Sequence, residues 1–147
     1  MKLFLLFLMG GCIYGAIEIG CRGFTHYSMF ITGGICFVLI GGLNNYISRE
    51  MPLLLQMLFS SLIVTALEFC CGCIVNLWLG LHVWDYSLLP LNVCGQICIP
   101  FTAVWFLLSF AGIFLDDFFR QHMFGEEKMR YVIIRKSKVE KPLAAEQ

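Results

Sequence analysis

The chain has 147 residues, 59% of them hydrophobic and only 14% charged, with a mean hydropathy of +0.81. A soluble domain carries about 25% charged residues, so this deficit names lipid as the solvent. Formal net charge is zero, and the seven basic residues of the last 32 are nearly matched by six acidic ones, which excludes a nucleic-acid-binding surface.

Four stretches reach the roughly 20 mainly apolar residues that a spanning helix needs. The first is Leu3–Gly20. Its opening, Lys2 and then Leu3–Met9, resembles a secretory signal, but no small-x-small cleavage site precedes a soluble domain and further spans follow, so the helix is expected to be retained. The second is Met29–Ile47, lined by Gly33, Gly34, Gly41 and Gly42; with Gly11 and Gly15 of the first run these favour close helix packing. The third, Leu53–Leu79, is longer than a bilayer requires and can tilt or project. The fourth is Leu91–Leu115. The connections Cys21–Ser28, Ser48–Pro52 and Gly80–Pro90 are short enough to force antiparallel neighbours.

After Leu115 the pattern changes. Phe118, Phe119, Met123 and Phe124 alternate with Asp116, Asp117, Arg120 and His122, which suits an interfacial helix. Tyr131–Ile134 is a short apolar run, and Lys136–Gln147 has the composition of a solvated, disordered end. The chain therefore divides into a transmembrane domain, 1–115, and a tail, 116–147. With the N-terminus inside, Lys2, Arg49, Arg120 and the six basic residues beyond it are cytoplasmic and only Arg22 is external, which sets an N-in, C-in orientation.

A carboxylate at membrane depth costs roughly 2.5–3.5 kcal/mol on insertion scales, so Glu18 and Glu68 are the leading functional signals. Each lies sixteen residues, about 24 Å of helix, beyond the cytoplasmic start of its run, Lys2 or Pro52, and so in the outer half of a core about 30 Å thick. Ala16-Ile17-Glu18-Ile19 recurs as Ala66-Leu67-Glu68-Phe69, a short parallel repeat. Arg22 follows Glu18 at the same-face spacing of four; Asn76 is eight beyond Glu68; Asn92 and Gln96 form another four-spaced pair. Asp85, His26 and His82 fall in the external loops. One acid is expected to pair with Arg22, leaving another protonated or balanced by a bound cation. Glu18, Arg22, Glu68, Asp85, Asn92 and Gln96 thus form a candidate outward-facing polar or cation site. An interhelical salt bridge of Arg22 with Glu18 or Glu68 is the structural alternative.

Trp84-Asp85-Tyr86-Ser87-Leu88-Leu89-Pro90-Leu91-Asn92 reads as a membrane-interface turn, with Asn92 the expected N-cap of the fourth helix. Its leucines point to a loop that dips into the membrane or folds over the bundle. Eight cysteines invite a metal reading, but no paired C-x-x-C motifs with zinc-site spacing occur, so neither metal nor cofactor is expected. There is no phosphate-binding loop, no H-E-x-x-H and no G-x-S-x-G, and no catalytic residue is assigned.

Trp84-Asp85-Tyr86-Ser87, Pro90, Asn92 and Gly95-Gln96-Ile97-Cys98, with Gly15, Glu18, Arg22-Gly23-Phe24 and Ala66-Leu67-Glu68-Phe69 upstream, resemble the signature of the bacterial membrane family called Putative ABC-transporter type IV, or CmpB-like. The resemblance covers about residues 11–109. Two departures stand out: Gln96 occupies a place where Arg is common, and Thr25-His26-Tyr27 replaces a glycine- and proline-bearing segment. The resemblance implies a permease-type component of the bacterial cytoplasmic membrane. A separate ATPase is then an implied partner, although Ser48–Pro52 is too short to engage one and leaves only the tail for that contact.

The reading is an all-α, polytopic membrane protein with four transmembrane helices and a charged cytoplasmic tail, forming a homo-oligomer or joining other membrane subunits. Its expected function is that of a transporter component; the alternative is a non-transporting assembly or sensor module whose intramembrane charges are structural.

Overall fold

The computed structural model describes residues 1–46 and 51–127. Its elements are α1 (Lys2–Arg22), α2 (Tyr27–Tyr46), α3 (Leu53–Gly72), a π-helical continuation of α3 (Cys73–Trp78), a two-stranded hairpin β1 (Asn92–Val93) and β2 (Ile97–Cys98), and α4 (Ile99–Phe124). The chain is all-α apart from this hairpin, in which Asn92 faces Cys98 and Val93 faces Ile97. Among the described residues three helices are long and apolar enough to cross a membrane: Lys2–Arg22, Leu53–Trp78 and Ile99–Phe124. The second apolar run appears as the shorter stretch Tyr27–Leu43.

Local chemistry sets the boundaries. Gly23, at φ 79°, ends α1 in the left-handed region that suits glycine, and its N–H reaches the Ile19 carbonyl at 2.8 Å. Pro52 precedes α3 with φ −57° and ψ 138°, a conformation its ring favours. The fourth helix begins at Ile99, eight residues later than its apolar run. Asn92 therefore does not cap it: extended Cys98 stands at the cap position, and Pro100 occupies the first turn, where a missing N–H costs nothing. The apolar residues before Ile99 enter the hairpin instead.

Helices α1 and α2 approach closely through glycines. A β-carbon at Gly11 would stand 2.7 Å from the Phe30 carbonyl oxygen, and Gly10, Gly33 and Gly34 lie directly against Phe37, Tyr14 and Phe7. Gly15 has room, with Thr25 3.8 Å from the position of an added β-carbon. Cys36 and Ile40 of α2, Leu53, Met57 and Val64 of α3 and Ile113 of α4 form the central core. Met29, Val75, Val83 and Trp84 form a second cluster beneath the α3–α4 connection. The outer surface is apolar too: Leu54, Leu58, Phe59, Leu62, Leu107 and Phe110 are exposed, as a lipid-facing surface requires.

Lys2 meets Glu126 at 3.2 Å at one end of the bundle, and Arg22 meets the Val83 carbonyl at 3.0 Å at the other, so α1 and α4 run antiparallel. Helix α4 passes unbroken through the change of pattern after Leu115. Asp116 and Arg120, in the segment read as interfacial, are buried within the bundle and pair with each other at a spacing of four. The features expected of Ser48–Arg49–Glu50, Tyr131–Ile134 and Lys136–Gln147 lie outside the described residues.

Candidate functional site

The loop end of the bundle carries the polar side chains, but they form separate groups. Glu18 sits one turn before the end of α1, where four-residue spacing brings Arg22 onto the same face. The Arg22 guanidinium donates to Glu18 Oε1 at 2.8 Å, and the Thr25 hydroxyl donates to Oε2 at 2.7 Å. Arg22 also donates to the Val83 carbonyl and lies over the Phe24 ring, 4.7 Å from its centroid. This group joins α1 to the α3–α4 loop and satisfies both oxygens of Glu18. Arg22 thus takes Glu18 rather than Glu68, and the pair lies within α1 instead of bridging two helices.

A second group surrounds the π-helical segment. In this i→i+5 bonded segment Asn76 is buried, and its amide donates to the Trp84 carbonyl at 3.0 Å and to Gln96 Oε1 at 2.8 Å. Asn76 Oδ1 accepts the Val83 N–H at 2.7 Å. Gln96 donates to the Cys94 carbonyl at 2.9 Å, and its own carbonyl accepts the Trp84 indole N–H at 3.0 Å. Buried amides satisfied in this way fix the loop on the bundle.

Asp85 and Asn92 lie farther out and do not join the carboxylates. Exposed Asp85 accepts the Ser87 N–H at 2.8 Å and the Ser87 hydroxyl at 3.0 Å. These two donors hold its carboxyl below the usual carboxylate range. Asn92 donates to the Ser87 and Leu89 carbonyls and accepts the Gly95 N–H, bracing the same turn. The leucines beside it face outward, Leu88 with 97% of its surface exposed.

Glu68 is the distinctive group. It is 3% exposed on α3, and its two oxygens accept the Tyr86 hydroxyl at 2.9 Å and the Trp105 indole N–H at 2.8 Å. Both donors are neutral, and among the described residues no Lys or Arg pairs with this carboxylate. Tyr86 stacks on Phe101 at 4.5 Å, and Trp105 packs 5.9 Å from Tyr14, so aromatic faces surround the acid. Beside it runs a groove of about 130 Å³, walled by Ile13 and Ile17 of α1 and by Leu108 and Gly112 of α4, with Cys36 and Val64 as its floor. Helices α1 and α4 touch little between their ends, which leaves this slot open on the outer face of the bundle.

Sequence reasoning missed Tyr86 and Trp105 as partners of Glu68, and Tyr14 as part of the groove beside it. Aromatic residues in apolar runs read as lipid anchors, and only the indole N–H and phenol O–H, which need partners when buried, hinted at more. Among the described residues no group of three His, Cys, Asp or Glu side chains is placed to hold a metal ion.

Among the described residues three helices are long and apolar enough to cross a bilayer, and carboxylates are buried among them near one end, the features of a membrane-protein class. The chain belongs to the family described as Putative ABC-transporter type IV, which matches residues 3–135. No curated protein and no solved structure matches it.

Proposed function

We propose that this chain is a permease-type component of a transporter in the bacterial cytoplasmic membrane, with a polar or cation site centred on Glu68. The carrying observation is the Glu68 carboxylate itself, buried among aromatic rings, held by two neutral donors and set beside an open groove. A carboxyl at this depth is either protonated or balanced by a positive partner, and where the described residues supply no cation, a ligand can. The positive-inside bias orients the bundle with both termini cytoplasmic and Glu68 toward the outer face. Four helices enclose little space, so the component works as an oligomer or with other membrane subunits, and a separate ATPase supplies the energy, as the family description suggests. We assign it no catalytic residue.

The second reading is a non-transporting assembly or sensor module, and the closed Glu18–Arg22–Thr25 group favours it for that half of the constellation. Thermal melting of the detergent-purified protein, screened against cations and polar lipids, separates the two. Stabilisation of the wild type and not of Glu68→Gln supports a ligand site. A variant that melts lower while no ligand acts on either protein makes the charges scaffold and ends the transport reading.

A further inference from the structure

We infer that Glu68 and the groove between α1 and α4 form one binding site for a small lipophilic monovalent cation, an ammonium group bearing an apolar substituent about the size of a benzene ring. The inference rests on the reading of Glu68 as the ligand-facing carboxylate and adds the class of ligand.

Charge, lining and size argue for this occupant together. Glu68 lines the groove, and the two bonds it accepts leave lone pairs free on both oxygens. Tyr14 and Trp105, which also line it, offer π-faces that attract a weakly hydrated ammonium. A strongly hydrated metal ion would want several oxygen ligands, and this lining supplies one carboxylate. The remaining walls are aliphatic. The groove volume of about 130 Å³ is close to the roughly 150 Å³ apolar cavity known to hold benzene. Exposed Ile17, Leu108 and Leu115 flank its mouth, so a ligand dissolved in the bilayer reaches the acid sideways, through the gap between the helices.

Position 112 provides a test that spares the acid. A β-carbon at Gly112 would meet nothing within 4 Å, so Gly112→Leu puts its side chain at the groove wall without a clash of its β-carbon. The probes are benzyltrimethylammonium, tetramethylammonium (the head alone) and benzyl alcohol (the ring without charge). The readout is the probe concentration that gives a half-maximal rise in melting temperature in a non-ionic detergent. Micelle partitioning is common to all variants, so differences between them report the protein. Benzyltrimethylammonium should act on the wild type at a concentration at least about tenfold lower than either fragment, the scale of roughly two buried methylene groups. Gly112→Leu should erase that advantage; Glu68→Gln should remove the response to both cations.

Equal responses to benzyltrimethylammonium and tetramethylammonium, with Gly112→Leu silent, overturn the lipophilic-cation inference and leave the polar-site reading standing. Benzyl alcohol acting as well as the charged probe also overturns it, in favour of a neutral lipid occupant. No response to any cation in the wild type overturns both readings. Should Glu68→Gln fail to fold, the Gly112→Leu comparison still decides.

Discussion

Gln96 Oε1 lies 2.5 Å from where a β-carbon would stand on Gly72, so the last α-helical turn of α3 and the hairpin before α4 meet where any larger residue would displace the Gln96 amide. The Trp84 ring closes the same spot, at 3.0 Å. Because Gln96 is also the partner of Asn76, this contact sets the depth at which the α3–α4 loop sits over Glu68.

Gly72→Ala is therefore expected to destabilise the protein by about 1–3 kcal/mol, the usual cost of overpacking a close contact. The added methyl group would push Gln96 away from Asn76 and lift Tyr86 from Glu68. Thermal melting in detergent checks the stability. Faster hydrogen exchange at the Val83 amide, which Asn76 Oδ1 accepts, would locate the change. An unchanged melt with unchanged protection at Val83 would refute the account.

Glu18→Gln keeps two side-chain polar atoms but removes the charge that Arg22 faces. Glu18 is buried and Arg22 about a quarter exposed, so solvent screens part of the interaction. A loss of about 1–3 kcal/mol is expected, the cost of leaving a buried hydrogen-bonding group without its partner. Arg22→Gln should cost a similar amount, and the double variant less than the sum, because both single changes break one contact. A double-mutant cycle by thermal melting checks this, and simple additivity would contradict the pairing.

Asp85 gives the outer loop a pH dependence of definite sign. Its folded carboxyl is held below the ordinary value by the Ser87 N–H and hydroxyl, so the ionised form stabilises the turn. That stabilisation is complete above the unfolded carboxylate value of about 3.9 and is lost as the pH falls through the lower folded value. Exchange at the Ser87 amide, corrected for the intrinsic acid dependence of exchange, should accelerate below about pH 4 in the wild type and show no such step in Asp85→Asn. Because Asp85 is exposed, the global melt should move little.

Much of the fold is legible in the sequence, and what is not has identifiable causes. Apolar length finds α1, α3 and α4, and the four-residue spacing of Glu18 and Arg22 finds their ion pair, because helical periodicity is local. The start of α4 escaped because Leu91, Val93 and Ile97 are apolar in a hairpin as much as in a helix; Pro100, favoured in a first turn, carried the better signal. The π-helical segment leaves no mark in the apolar run, and with it goes the placement of Asn76. Trp105 is 37 positions from Glu68, a tertiary contact that no spacing encodes. Asp116 and Arg120 did carry a legible four-residue spacing, but the sequence reading did not use it to pair them.

That buried pair yields the last expectation. Asp116 is fully buried, with Oδ2 on Arg120, and its carboxyl lies directly against Gly41 of α2, where a β-carbon would collide with it. Arg120 in turn reaches Glu126 at 3.7 Å, and Glu126 reaches Lys2, so one contact on α2 underlies a charge network that joins both ends of the described chain. Gly41→Ala should displace Asp116, strain its bond to Arg120 and lower stability by about 3–5 kcal/mol if the pair opens, the cost of leaving a buried charge without its partner. Gly20→Ala is the matched control: no atom lies within 4 Å of the position its β-carbon would take, and exchanging a helical glycine for alanine there should be neutral or stabilising by up to about 1 kcal/mol. Melting temperatures of the two variants should fall on opposite sides of, or respectively below and level with, the wild type. A Gly41→Ala protein as stable as Gly20→Ala would mean that α2 and α4 do not meet at Asp116.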